Sequence, residues 1–194
     1  MQYGQNLKAT QELMLKIYLT TCNKNRHLVA NFAKLFNKFW DPKREVIILC
    51  ALPPKEELPE NFKVMSLGQD DLLWSDQLRK LCETIPDEKI ILAHEDFYIL
   101  EHINQCFLED LELYAERNNE IRRIGLQSIS DGYEGAVNFY GKTDKGFSLF
   151  QLNQNHFYTC SFEWSIFQRE FLLKYLPQGQ TAARSEVIIG EKAK

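Results

Sequence analysis

The sequence predicts an α/β domain, a mostly parallel sheet flanked by helices, followed by a smaller antiparallel or loop-rich section. Three observations carry that expectation. Over the first 126 residues, short apolar runs alternate with segments whose apolar residues recur every three or four positions, in the order β-α-β-β-α-β-α-β. Two of the runs, residues 45–52 and 89–93, are apolar almost without interruption, as strands buried on both faces of a parallel sheet must be. From residue 127 to 160 the texture changes to Gly, Asp, Asn and short aromatic runs.

Taken in order, residues 15–20 alternate apolar and polar side chains and read as the first strand. Leu28, Phe32, Leu35, Phe36 and Phe39 share one helical face, which predicts a helix over 26–40, stopped by Asp41-Pro42. Residues 45–52 form the second strand. A Pro-rich loop with Pro53, Pro54 and Pro59 leads to a third, 62–67, closed by Gly68. Leu72, Leu78, Leu81, Cys82 and Ile85 predict a helix over 71–85, ended by Pro86. Strand 89–93 runs directly into His94-Glu95-Asp96, a helix follows over 102–116, and 122–126 reads as a fifth strand. The runs 137–140 and 147–152 suggest antiparallel pairing. Ile166, Phe167, Phe171, Leu172 and Tyr175 predict a last helix, ended by Pro177 and Gly179.

Composition bounds the partners. With 194 residues, 44% of them hydrophobic, one domain covering 1–194 is expected. The formal net charge of −4, from 23 basic and 27 acidic side chains, argues against a dedicated nucleic-acid binder, which gathers a basic surplus on one face. No apolar stretch approaches the roughly 18–20 residues of a transmembrane helix, and residues 1–16 do not read as a secretory signal. The five cysteines are widely spaced with no Cys-x-x-Cys pair, a pattern of reduced thiols that predicts a cytoplasmic location.

In an open α/β sheet, ligands bind outside the carboxyl ends of the strands. Two such ends carry chemistry: Thr20-Thr21-Cys22-Asn23 after the first strand and His94-Glu95-Asp96 after the fourth. Glycine-rich dinucleotide and P-loop signatures are absent, as is Gly-x-Ser-x-Gly. His-Glu-x-x-His is not satisfied because Tyr98 stands where the second histidine belongs, so a zinc protease is not indicated. Adjacent carboxylates at the mouth of a buried strand repel and lose hydration, and a hard divalent cation relieves both costs. The bland reading gives one carboxylate to helix capping and the other to solvent.

Trp74-Ser75-Asp76-Gln77-Leu78, then Ile85, then 89–98 (Lys-Ile-Ile-Leu-Ala-His-Glu-Asp-Phe-Tyr), and later 160–173, resemble bacterial and phage glycosyltransferase-like proteins of the GT-A, nucleotide-diphospho-sugar type. The likeness runs over roughly residues 16–186 and lies in the order and spacing of the motifs. It implies a GT-A-like fold that moves a sugar from a nucleotide-diphospho-sugar to a glycan or lipopolysaccharide-type acceptor, or a non-catalytic relative that binds a nucleotide-sugar or a protein. On this resemblance 1–126 is the nucleotide-sugar part and 127–194 the acceptor side. Glu95 and Asp96 match the acidic motif that holds Mn²⁺ or Mg²⁺ against the donor diphosphate, although here the two are adjacent rather than spaced. Thr20 and Thr21 match the strand end that meets base and ribose, and Cys22, Asn23 and His94 join the donor set by position. Ser75, at the start of a helix, either meets a phosphate or caps the helix. For a general base the resemblance points to Glu163 first and Glu186 second, with Asp131 and Glu134 as further candidates; each also reads as an ordinary surface carboxylate.

Overall fold

The computed structural model describes residues 14–69, 72–126, 136–155 and 159–193. In chain order the elements are β1 (Ile17–Thr21), a 3₁₀ turn (Arg26–Leu28), α1 (Val29–Phe39), β2 (Val46–Cys50), β3 (Phe62–Ser66), α2 (Trp74–Thr84), β4 (Lys89–His94), α3 (Gln105–Arg117), β5 (Arg123–Gly125), β6 (Val137–Lys142), β7 (Ser148–Leu152), β8 (Ser165–Gln168), α4 (Arg169–Tyr175) and α5 (Ala182–Lys192). Six strands form one sheet in the order β3-β2-β1-β4-β8-β5, and β6 and β7 form a separate hairpin. The first four are parallel; β8 runs antiparallel to both β4 and β5. The α/β expectation with a mostly parallel sheet is therefore what the chain forms. Asp131, Glu134, Leu7 and Leu13 lie outside the described residues.

Period-two alternation sorts the sheet's side chains into two cores. Ile17, Leu19, Val46, Ile48, Ile91, Ala93 and Ile166 point to one face, against Val29, Phe32, Ala33 and Phe36 of α1 and Leu108, Leu111 and Ala115 of α3. Tyr18, Leu49, Ile90, Leu92 and Phe167 point to the other, against Leu78, Leu81 and Cys82 of α2, Leu172 of α4 and Ile189 of α5. β1 is buried along its whole length, so its sequence alternation marks the two cores rather than a wet and a dry face. Each fully buried Phe or Leu contributes about 1.5–3 kcal/mol, and these two layers hold the bulk of the apolar area.

Local chemistry sets the boundaries. α1 ends as expected at Asp41-Pro42, where the Asp41 carboxylate accepts the Lys43 N–H at 2.8 Å. Asn104 caps α3 by accepting the Phe107 N–H at 3.1 Å. Gly68 takes φ +65° just after β3, a conformation that glycine adopts without strain, and donates its N–H to Ala51 O at 3.0 Å. Helix ends are also closed by cations from elsewhere, one buried and one half-buried. The Lys89 ammonium donates to Ala115 O and Glu116 O at the end of α3, and Arg79 donates to Leu173 O and Leu176 O at the end of α4.

Two expectations are corrected. The helix expected over 166–175 begins only at Arg169, because 165–168 pairs with β4 and β5 as a strand in the middle of the sheet. The spacing of Phe167, Phe171 and Tyr175 carried a helical phase backward across that boundary. A further helix, α5, follows Gly179, with Thr181 capping it by accepting the Arg184 N–H at 3.3 Å. All five cysteines are free thiols, as their spacing suggested. Among the described residues, no helix is long and apolar enough to cross a membrane.

The entry to β1 is clamped by a buried ion pair. Arg44 and Glu112 are each almost inaccessible; Arg44 also donates to Leu15 O at 2.8 Å, and Glu112 accepts the Leu15 N–H at 3.0 Å. Removing one partner strands a buried charge. Glu112→Ala is therefore expected to lower unfolding free energy by about 3–5 kcal/mol, read from urea titration of the full chain. A loss below about 1 kcal/mol would show that Arg44 finds water or another acceptor.

Candidate active site

The chain leaves β1 toward β2 on one side and leaves β4 toward β5 on the other. The loops that follow these neighbouring strands diverge, and in open α/β sheets that divergence at the carboxyl ends is where a ligand crevice forms. Thr20 pairs in register with His94, and Thr21 with Cys50, so the polar groups of the two strand ends stand level. Both expected clusters therefore meet at one place.

On the β1 side the groups are tied to backbone. Buried Thr20 donates its hydroxyl to Ala93 O at 3.2 Å, and Thr21 donates to Cys22 O at 3.3 Å. Asn23 accepts the Leu52 N–H at 3.2 Å, bridging the ends of β1 and β2. Cys22 is half-buried, and its carbonyl closes a turn by accepting the Asn25 N–H at 3.0 Å. These contacts set the shape of the floor between the two strands.

On the β4 side, Phe97 N–H donates to His94 O at 3.2 Å, placing Glu95 and Asp96 at the centre of a tight turn. Ligand atoms of His94, Glu95 and Asp96 lie within 4.8 Å of one another. Asp96 is exposed, whereas Glu95 is only 3% exposed, and burial raises its pKa against the opposing effect of an Asn25 hydrogen bond. His94 stacks on Trp74 with ring centroids 5.2 Å apart and planes 16° apart. Burial lowers its pKa to about 4, so the imidazole is neutral at pH 7 with a lone pair to give. Among the described residues neither carboxylate forms a salt bridge. Two carboxylates and one neutral imidazole suit Mn²⁺, and the carboxylates suit Mg²⁺. The donor set fits the expected cation.

Ser75 is not the helix cap, a position held by Leu73. It is fully buried; its N–H donates to Gln180 O at 3.1 Å and its hydroxyl accepts the Gln180 N–H at 2.9 Å. Asp76 accepts the Gly179 N–H at 3.0 Å. The first turn of α2 is thus engaged by the chain's own 179–180 segment, and Ser75 faces that segment. Trp74 packs against Phe162 at 4.6 Å as well as against His94, in keeping with a core role.

Glu163 is half-buried and lies two residues before β8. It stands in the bend just beyond the last pair of β4 with β8, Leu92 with Ser165, on the side of the carboxyl end of β4. Glu186 sits on α5, where its carboxylate accepts the Phe162 N–H at 2.6 Å and so holds the stretch that leads into Glu163. Sequence reasoning did not single out Trp164. Asn25, with Lys24 and Arg26 after the first strand, reads from the sequence as a phosphate contact or an ordinary surface cluster, and its bond to Glu95 has no local trace. Trp164 stands beside Glu163, just before the last expected helix, and the partner of its indole has no local trace either. A cavity of about 970 Å³ lies elsewhere, along β5 between α3 and the β6–β7 hairpin, with Tyr114, Tyr140 and Phe150 in its wall. Tyr133 and His156 lie outside the described residues.

No family model matches the sequence, and no curated protein matches it. Solved structures do resemble the fold. TarS 1-349 of S. aureus superposes with a TM-score of 0.54 at 14% identity, covering 90% of this chain and 53% of that one. The same protein in complex with UDP-GlcNAc gives 0.52 at 14% identity, with 90% and 52% covered. The mannosyltransferase PcManGT from Pyrobaculum calidifontis, in complex with GDP-Man and Mn²⁺, gives 0.53 at 10% identity, with 90% and 49% covered. The chain spans about half the length of these proteins. At such identities the likeness is one of fold, and the fold is the GT-A-like α/β architecture that the sequence predicted.

Proposed function

We propose that this chain is a GT-A-type glycosyltransferase that moves a sugar from a nucleotide-diphospho-sugar to a glycan or lipopolysaccharide-type acceptor. The observation that carries this reading is the placement of His94, Glu95 and Asp96 beside the end of β1, in the crevice where the loops after β1 and β4 diverge. It is supported by likeness in fold to proteins solved with UDP-GlcNAc and with GDP-Man and Mn²⁺.

In this reading Glu95 and Asp96 hold the cation, with His94 as a nitrogen donor at its edge. When bound, Mn²⁺ or Mg²⁺ neutralises the diphosphate and steadies its charge as it leaves. The end of β1, Thr20 to Asn23, forms the floor on which base and ribose rest. Residues 1–126 hold the donor, and the acceptor approaches from the side of 127–194. The acceptor hydroxyl oxygen attacks the anomeric carbon while the bond from that carbon to the diphosphate oxygen breaks. The Glu163 carboxylate takes the hydroxyl proton, acting as general base. Glu186 acts through Glu163 by fixing Phe162, and Ser75 supports the crevice from behind through α2.

A thermal-shift panel of UDP-, GDP-, CMP- and dTDP-sugars, with and without Mn²⁺, tests the donor site. A donor at 100 times its Kd stabilises by about 2.7 kcal/mol, which raises Tm by roughly 5–10 °C in a chain of this size. One nucleotide class is expected to give that shift, and only with the metal; a shift independent of metal would remove Glu95 and Asp96 from metal binding. Asp96→Asn is expected to lower turnover at least a hundredfold. Its metal-free Tm should stay within about 2 °C of wild type, because exposed sites away from packing contribute little. Glu163→Gln is expected to reduce kcat by about 10²–10⁴ with donor affinity preserved. Donor binding without turnover in the wild type would instead assign the chain to the non-catalytic, nucleotide-sugar-binding reading.

A further inference from the structure

Two side chains from outside reach the acidic turn: Asn25 hydrogen-bonds Glu95, and Trp164 meets the turn at its far end. The indole Nε1–H of Trp164 donates to Phe97 O at 3.0 Å, immediately past the two candidate ligands. Phe97 is also the residue whose N–H closes the turn on His94 O. The Trp164 side chain therefore meets the turn at the residue that defines its shape.

Trp164 is itself immobilised on two sides. Its backbone carbonyl accepts the Leu126 N–H at 2.8 Å, next to β5. Its ring stacks on Phe32 of α1, with centroids 5.7 Å apart and planes 17° apart, and packs at 5.1 Å against Trp40. The ring is a rigid spacer from the core to the turn. Phenylalanine keeps an aromatic ring in the stack but is smaller and has no N–H to give, so a second Trp→Phe change in the same stack is needed to separate the two losses.

We propose that Trp164 is a positioning residue for the candidate metal centre: its indole N–H, braced against α1, fixes the 94–97 turn so that Glu95 and Asp96 present their oxygens to one cation. This rests on the metal-binding reading of His94, Glu95 and Asp96 given above. Outer partners that orient metal ligands typically account for 10–100-fold in metal affinity. A neighbour in the same stack supplies the control. Trp40 packs against Trp164 and Phe36, yet its own Nε1 is buried without a hydrogen-bond partner.

The test is Mn²⁺ titration followed by electron paramagnetic resonance on the full chain as wild type, Trp164→Phe and Trp40→Phe, with metal-free Tm measured for each. Trp164→Phe is expected to weaken Mn²⁺ binding about tenfold or more. Trp40→Phe is expected to lower Tm by at least as much while leaving Mn²⁺ affinity within twofold of wild type. Wild-type affinity in Trp164→Phe overturns the proposal, as does equal weakening in Trp40→Phe, which would make the effect one of general packing. A wild type that leaves Mn²⁺ free overturns the metal centre itself and this role with it, an outcome distinct from the other two. Should Trp164→Phe not fold, indole-¹⁵N-labelled wild type decides. The Trp164 N–H resonance is expected to be protected from solvent exchange and to shift when Mg²⁺ and UDP are added. An exchanging, unmoved resonance overturns the proposal.

Discussion

The pairing of β1 with β4 is the constraint on which the carboxyl edge of this molecule depends. Each strand is buried on both faces, so a slip of one residue would send every side chain to the wrong core. Ile17 and Leu19 must meet the α1 and α3 layer while Tyr18 meets α2 and α4. That demand fixes Thr20 beside His94, and with it the distance from the floor of the crevice to the acidic turn. Geometry at the site is inherited from apolar packing several residues away. None of the polar residues at the edge has to supply the energy that places it.

The same packing explains the electrostatics. His94 and Glu95 leave the sheet before the chain reaches open solvent, so each loses hydration, and each shifts toward its neutral form. A charged histidine would repel a cation, and a neutral one can ligate it. The stacked Trp74 ring covers one face of the imidazole. Asp96, one residue further on, stands in solvent.

Much of this was legible in the sequence. The unbroken apolar runs marked the doubly buried strands, and the rule that ligands gather at strand ends led to Thr20 to Asn23 and to His94, Glu95 and Asp96 before any contact was known. Two things were hidden. Strand β8 is four residues long and adjoins a helix whose apolar spacing continues through it, so period alone could not separate them. What distinguishes it is pairing with β4 and β5, a long-range fact with no local trace. The engagement of Ser75 by Gln180 is hidden for the same reason: a serine near a helix start looks alike whether it meets a phosphate, a cap or a distant loop. Where a residue's role is set by something adjacent in sequence, as with Asp41, the pattern spoke clearly. Where the partner lies a hundred residues away, composition was silent.

The central position of β8 has a consequence for the order in which the molecule assembles. The sheet's interior is completed by a strand more than seventy residues beyond the one it pairs with, and β5 has no neighbour in the sheet until β8 arrives. Contacts of such long range form against a larger loop-closure entropy and come late in folding. The acidic turn, which meets the residue just before β8, is then among the last features to become rigid. A nascent or partly folded chain would have the β1–β4 floor before it had a firm turn above it, so order at the carboxyl edge reports that the whole sheet has closed.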